Sequence, residues 1–206
     1  MNVPTTSSDF ERGGPEMTGV VLPDGSAVWE RLGFAVDQGR ISLSGVTIEL
    51  RDDDREPSLV LDPPIDRDVD GIVLGGEVTA VADVVQPNHV TAVDHVAVQT
   101  GDLDRTVEAL AVQGLEPRRR AGDLRHGEGR AYAFYVLRTC VLEVVGPATP
   151  DPSRPARTTG IAFTASDLEN LPVGASPPRN AVQPGRRISV LDAAGSAVRV
   201  AILTPR

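Results

Sequence analysis

Asp94-His95-Val96-Ala97-Val98-Gln99-Thr100-Gly101-Asp102-Leu103-Asp104-Arg105-Thr106 is the stretch that decides the fold. Its first six residues read as a short strand. A small polar turn follows, and the chain then opens a helix from Asp102 to Val112. Leu103, Val107, Leu110 and Ala111 recur there at the spacing of one buried stripe. Gly101 is the expected N-cap, with Asp102 in the first turn, where negative charge suits the helix dipole. His95 lies on the alternating face of the strand. About fifty residues later, Cys140-Val141-Leu142-Glu143-Val144-Val145-Gly146-Pro147 reads as a second apolar strand with one carboxylate at its centre.

The pattern repeats. Thr159-Gly160-Ile161-Ala162-Phe163-Thr164-Ala165-Ser166-Asp167-Leu168-Glu169 aligns with residues 94–104 as strand, turn and helix start, with Ser166 as the cap. Arg199 to Pro205 aligns with Val141 to Pro147. Between these ends, Ala131 to Leu137 reads as an aromatic strand. Arg186 to Leu191 and Ala197 to Leu203 flank Asp192-Ala193-Ala194-Gly195 as a hairpin. The N-terminal half is a fainter copy. Val20-Val21-Leu22 is a strand, Ser26 to Leu32 a short helix and Ile41 to Leu50 a hairpin. Ser58-Leu59-Val60-Leu61 followed by Ile65 to Val69 resembles another strand-then-helix start. The expected organisation is a flexible tail over 1–16, a degenerate module region over 17–82, a linker over 83–90 and two modules over 91–206.

Composition narrows the function. The chain has 206 residues, 40% hydrophobic but only 3% aromatic, so its core is built from Val, Leu, Ile and Ala. No apolar run reaches the ~20 residues of a membrane span, and Met1 to Glu16 lacks a signal-peptide core. A single cysteine, Cys140, rules out an internal disulfide and fits a cytoplasmic location. It sits in an apolar strand as a small hydrophobe. The net charge of -9 argues against a nucleic-acid partner, which needs a basic face. All 20 basic residues are arginine, as a GC-rich bacterial coding bias produces. With no lysine the chain cannot form the Schiff base of pyridoxal chemistry. A phosphate loop, a strand-linked GxGxxG, a zinc cysteine pair and a nucleophile elbow are all missing.

From Val93 to Pro205 the chain resembles the vicinal oxygen chelate superfamily of glyoxalase I, extradiol dioxygenases and bleomycin-resistance proteins. The likeness rests on "DHVAVQTGDLDRTVEAL", "VLEVVGP", and "GIAFTASDLENL" followed by "AVQPGRRISVL". It implies an α+β fold of paired βαβββ modules forming cupped antiparallel sheets, with a degenerate N-terminal half. It also implies metal ligands on the first and last strands of each module. His95 and Glu143 match those positions in one module. The equivalent positions of the partner module are Gly160 and Ala201, which carry no ligand atoms.

The His95 and Glu143 side chains admit three readings. They can hold a divalent metal such as Zn, Fe, Ni or Mn, completed by vicinal oxygens of a substrate or by Glu49 or His89. They can form a metal-free pair acting as a general base. Or they can serve structure only. Gln183 sits on a turn before a strand in "VQPGRR", so Arg186 and Arg187 point to opposite faces and one of them can clamp an anionic ligand. Tyr132 and Phe134 share a face and line either the pocket or the core. Arg118-Arg119-Arg120 reads as a solvated loop or a lip that attracts anions. His126 is either exposed or a mobile acid–base group. Asp66-Arg67-Asp68-Val69-Asp70-Gly71 with Glu77 matches a calcium-loop spacing, but Pro57, Pro63, Pro64, Gly75 and Gly76 spoil the flanking helices. The leading function is a glyoxalase-like small-molecule enzyme (lyase, isomerase or dioxygenase type). The alternative is a metal-free binder that sequesters a small molecule as bleomycin-resistance proteins do. A scaffold that self-associates as a homodimer is the third use.

Overall fold

The structure, a computed structural model, describes residues 14–123, 129–172 and 174–205. Its strands form two mixed sheets of six and eight. The N-terminal sheet contains β1 (Glu16–Leu22), β2 (Arg40–Leu43), β3 (Val46–Leu50), β4 (Ser58–Asp62), β5 (Arg67–Val69) and β6 (Ile72–Leu74), with helix α1 (Ser26–Arg31) after β1. Its order is β2-β3-β1-β4-β6-β5. β1 runs parallel to β3 and β4 parallel to β6, while β1 and β4 pair antiparallel at the centre. The Ile41–Leu50 hairpin forms as expected. Ser44 and Gly45 turn it with φ of +47° and +84°, the left-handed pair that a tight two-residue hairpin loop needs.

The C-terminal sheet repeats this plan with fuller modules. β7 (Val90–Gln99), α2 (Leu103–Ala111), β8 (Arg119–Asp123), β9 (Arg130–Val136) and β10 (Val141–Pro147) make one βαβββ unit. β11 (Arg157–Ala165), β12 (Arg179–Asn180), β13 (Arg187–Leu191) and β14 (Arg199–Leu203) make the second unit, which has the four strands without a described helix. The order β12-β13-β14-β11-β7-β10-β9-β8 places the two first strands side by side, each with its own last strand parallel on its outer flank. Asp102 itself caps α2, its carboxylate accepting from the Arg105 N–H at 3.2 Å, one residue beyond the expected cap. Gly101 meets a different demand: a Cβ there would stand 2.2 Å from the Asp151 carbonyl oxygen.

Three local expectations are corrected. No helix follows β11. The Asp167 carboxylate closes a tight turn instead, accepting from the Glu169 N–H at 2.7 Å and the Asn170 amide at 2.6 Å, and Pro172 ends the segment before a helical turn can build. Residues 67–69 form strand β5 rather than a helix start, and Asp70-Gly71 is the turn of the β5–β6 hairpin. The calcium-like spacing therefore folds as a hairpin. Asp70 is ion-paired with Arg105 at 2.7 Å, while Asp68 accepts from the Gly71 N–H at 2.6 Å. Arg119 and Arg120 belong to strand β8 rather than to a loop, and Arg120 is ion-paired with Asp104.

The core joins the two sheets. Val96, Val98, Leu142, Val144, Ile161, Phe163, Val200 and Ile202 fill one face of the C-terminal sheet. Trp29 and Phe34 from the N-terminal half pack on Phe163, at centroid distances of 6.1 and 4.9 Å. The Trp29 indole donates to Asp24 at 2.9 Å, and Asp24 also accepts from Ser196 and the Ala197 N–H in the β13–β14 loop. Cys140 is buried against the Met17 sulfur, and burial pushes its thiol up to about 12. In the segment 83–90, Gln86 and Asn88 are buried and bonded to the Ala35 N–H and the Leu32 carbonyl. No helix of the described residues is long and apolar enough to cross a membrane.

Candidate functional site

The other face of the C-terminal sheet is partly buried, with His95, Ala97, Gln99, Glu143 and Val145 intermediate in exposure. β10 runs parallel to β7 with Val141 opposite His95, Glu143 opposite Ala97 and Val145 opposite Gln99. Glu143 also faces Phe134 on β9, and Val145 faces Tyr132. His95, Glu143, Phe134 and Tyr132 therefore share one face, as alternation predicts, while Tyr135 turns to the buried side. Tyr132 and Phe134 stack with centroids 6.0 Å apart and planes 4° from parallel, and with Val141 and Ala121 they make a small apolar cluster on that face. They are thus part wall and part packing.

A bulge sets up the histidine. Ala162 pairs with His95 but the next residue, Phe163, pairs with Val93, so Asp94 is an extra residue in β7. The bulge breaks the alternation that would send Asp94 and His95 to opposite faces. Their side chains meet instead, with Asp94 Oδ2 3.0 Å from His95 Nδ1. Behind them the Arg186 guanidinium, 5% exposed, bonds both oxygens of Asp94 at 2.9 and 3.2 Å. Arg186 also donates to Gln183 Oε1 at 2.5 Å and to the Thr204 carbonyl at 2.8 Å. The Gln183-Pro184-Gly185-Arg186 turn that presents it closes through the Arg186 N–H on the Gln183 carbonyl, with Gly185 at φ +79°.

This chain orders the imidazole. An ionised carboxylate only accepts hydrogen bonds, so Nδ1 of a neutral His95 carries the proton and Nε2 keeps its lone pair. Glu143 stands nearby in a different environment. Burial, the largest influence, raises its pKa above the ordinary carboxylate value, His95 pulls it back down and Asp94 raises it further. Among the described residues Glu143 meets no arginine at ion-pair distance. A buried carboxyl whose pKa is raised, near an oriented imidazole, is a candidate acid–base pair.

Other expected contributors lie elsewhere. Arg187 points outward and pairs with Glu169 at 2.5 Å, so Arg186 is the inward member of the pair. It reaches the site through Asp94 and is not presented to a ligand. Glu49 is in the N-terminal sheet, ion-paired with Arg51 at 2.9 Å and Arg40 at 3.8 Å. His89 is a left-handed turn residue before β7, with φ +61°. His126 lies outside the described residues. Gly160 lies opposite Ala97, and Ala201 is paired with Ala162. Among the described residues no group of three or more His, Cys, Asp or Glu side chains could hold a metal ion. The donors present, one imidazole and one carboxylate, do not amount to a resident metal site. Sequence reasoning missed Asp94, because alternation assigned it to the wrong face.

Beyond Glu143, at the C-terminal ends of β7 and β10, lies a cavity of about 570 Å³. Gln99, Val145, Thr159, Arg130, Arg154 and Arg157 contribute to its wall.

No protein-family model matches the chain, and no curated protein matches it. Among solved structures it is similar to methylmalonyl-CoA epimerase from Mycobacterium tuberculosis, with 18% identity over 58% of this chain and 91% of that one and a TM-score of 0.44. It is also similar to a mutant 4-hydroxymandelate synthase from Streptomyces coelicolor, with 13% identity over 99% of this chain and 75% of that one and a TM-score of 0.40. A mutant glyoxalase I from Zea mays matches with 11% identity over 97% of this chain and 72% of that one, also at 0.40.

Proposed function

We propose that this protein is a glyoxalase-like small-molecule enzyme of the lyase or isomerase type, which moves a proton on an oxygenated metabolite without a resident metal. The observation that carries this reading is the pairing of an Asp94-oriented His95 with the buried, high-pKa carboxyl of Glu143 on one sheet face. Glu143 acts as the base toward an acidic C–H or O–H. Its raised pKa makes the carboxylate a stronger proton acceptor than an exposed one. In its protonated form, with Asp94 accepting from Nδ1, His95 donates through Nε2–H to the substrate oxygen on which charge develops. Asp94 and Arg186 are positioning residues: they fix the tautomer and angle of the imidazole without touching substrate. Tyr132 and Phe134 supply an apolar wall that limits water around the reacting atoms.

The test uses a panel of 2-oxo and 2-hydroxy acids and their phosphate esters, incubated with protein in deuterated water. Carbon-bound deuterium is followed by proton NMR. Exchange that disappears in Glu143→Gln and falls in His95→Ala is the expected result. Exchange unchanged in Glu143→Gln, or no exchange with any compound, overturns the reading. A second reading, capture of a small molecule without turnover, is favoured by Gly160 and Ala201. These leave the two positions of the second module that match His95 and Glu143 without a ligand atom. It predicts a compound that raises the melting temperature of both wild type and Glu143→Gln with no exchange in either.

A further inference from the structure

We infer that the arginine-walled cavity beside Glu143 is an anion site that seats the phosphate group of a short phosphorylated metabolite. The inference deepens the proposed function and rests on it for the reacting end of the ligand. The cavity itself stands on separate observations.

The first is charge. The chain carries a net charge of -9, yet Arg154 and Arg157 converge beside Arg130 on one cavity whose described lining residues include no Asp or Glu. Local field follows the nearest charges, so this cavity is cationic on an acidic protein. Among the described residues neither Arg154 nor Arg157 has a carboxylate within ion-pair distance. The nearest acid on the loop, Asp151, is occupied. The Ser153 hydroxyl, first, and the charge of Arg154, among lesser causes, hold its carboxyl below the usual range.

The second is construction. The 151–155 loop that carries Arg154 is tied down at several points. The Asp151 N–H donates to the Gly101 carbonyl at 2.7 Å, and the Gly101 N–H donates to the Arg154 carbonyl at 3.3 Å. Arg105, itself ion-paired with Asp70, donates to the Pro152 and Arg154 carbonyls at 2.7 and 2.8 Å. Gly101 admits this contact only because it has no side chain. Arg157 is fixed opposite Gln99, and a second bulge follows it: Thr158 pairs with Val98 and Gly160 with Ala97, leaving Thr159 as the extra residue. That bulge turns the Thr159 side chain toward the cavity it lines.

The third is register. Gln99 and Val145, in the cavity wall, are the next same-face residues after Ala97 and Glu143. One such step along a strand is about 7 Å. A group seated among the arginines therefore places a chain of roughly four to five bonds between itself and the Glu143 carboxyl. Guanidinium forks match the several oxygens and double charge of a phosphate monoester better than a single carboxylate. The Gln99 amide adds a neutral donor around the same space.

The experiment is isothermal titration calorimetry with inorganic phosphate, pyrophosphate and malonate. It is run on wild type, the Arg154→Ser/Arg157→Ser double variant and Glu143→Gln, at two salt concentrations. Circular dichroism and melting confirm that each variant is folded. Phosphate or pyrophosphate should bind wild type more tightly than malonate and weaken with salt. The double variant should lose at least tenfold in affinity, while Glu143→Gln keeps wild-type affinity. No phosphate binding, equal binding by the double variant, or a preference for malonate overturns the inference. Phosphate binding that survives while deuterium exchange fails in every compound removes the acid–base reading and leaves the anion site intact. Exchange without phosphate binding does the reverse.

Discussion

Replacing Asp94 by Asn tests the centre of the site by a route that needs no substrate. The side chain keeps its shape and loses its charge, while the Arg186 guanidinium stays buried at 5% exposure beside it. Removing one partner of a buried ion pair costs about 3–5 kcal/mol, because the remaining charge is left without compensation in a poor solvent for ions. In a domain of this size each kcal/mol lowers the melting temperature by about 2–4 °C, so the variant should melt roughly 10 °C below wild type. The double variant Asp94→Asn/Arg186→Met removes both charges and should recover more than half of the loss. The assay is urea unfolding followed by circular dichroism on wild type, both single variants and the double variant, read as a double-mutant cycle. A coupling energy within about 0.5 kcal/mol of zero would refute the argument, since pairs that act independently add to within that margin. If Asp94→Asn loses less than about 1 kcal/mol, Arg186 is better solvated than its burial implies, and the claim that this pair fixes His95 falls with it.

Further outcomes follow from the same geometry. Glu143 has a folded-state pKa raised by burial, so the folded chain holds that proton more tightly than the unfolded chain does. Its contribution is fully present below the unfolded carboxylate value and is lost as the pH rises through the folded one. Glu143→Gln should therefore melt higher than wild type at about pH 8, with the gap closing near pH 4, the range of an ordinary glutamate. Metal analysis of protein purified without an affinity metal should find well under one equivalent, and EDTA should leave the melting temperature unchanged. A stoichiometric metal whose removal lowers that temperature would restore a ligand role for His95. Gly101→Ala drives a methyl to within 2.2 Å of the Asp151 oxygen, so it should destabilise the chain by about 1–3 kcal/mol and weaken phosphate binding by loosening the Arg154 loop. Unchanged urea midpoint and phosphate affinity would show that the loop does not shape the cavity.

The fold was legible because its signals are local and repeated. Strand alternation at 95–99 and 141–145, the helical stripe of α2 and the doubled strand-turn-acid pattern each state the same plan, and the parallel register of β7 and β10 follows from it. Alternation also brought His95 and Glu143 to one face. What escaped the sequence were the departures from periodicity. Two extra residues, Asp94 and Thr159, place side chains where period-two counting cannot put them, and a bulge leaves no local mark in composition. The missing second helix escaped for the opposite reason: Asp167-Leu168-Glu169 has helix-start chemistry, but the prolines after it deny the propagation that nucleation requires. The arginines of the cavity come from β9, β11 and the loop between β10 and β11, so only the closed sheet brings them together.

The two sheets explain why the site belongs to one of them. Both present a central antiparallel pair of first strands flanked by parallel last strands, and both carry a glutamate on the last strand of their first unit. In the N-terminal sheet the exposed face is covered from within. Val78 packs so closely on Gly19 that a Cβ there would stand 2.5 Å from it, and Asp83 ties this segment down by accepting from Ser42 and the Ser44 N–H. Glu49 on that sheet is neutralised by two arginines. In the C-terminal sheet the corresponding face has no such strap among the described residues. Glu143 stands opposite Ala97 and Phe134, where the charge of His95 acts on it and no described arginine is at ion-pair distance, and the cavity arginines stand one strand step away. An arginine at ion-pair distance would hold Glu143 charged and make it a weak base. Under the proposed function, arginines at the far end of the cavity would hold an anionic ligand while the carboxyl stays free to exchange its proton. That separation of charge from base is what distinguishes the working face from its filled counterpart.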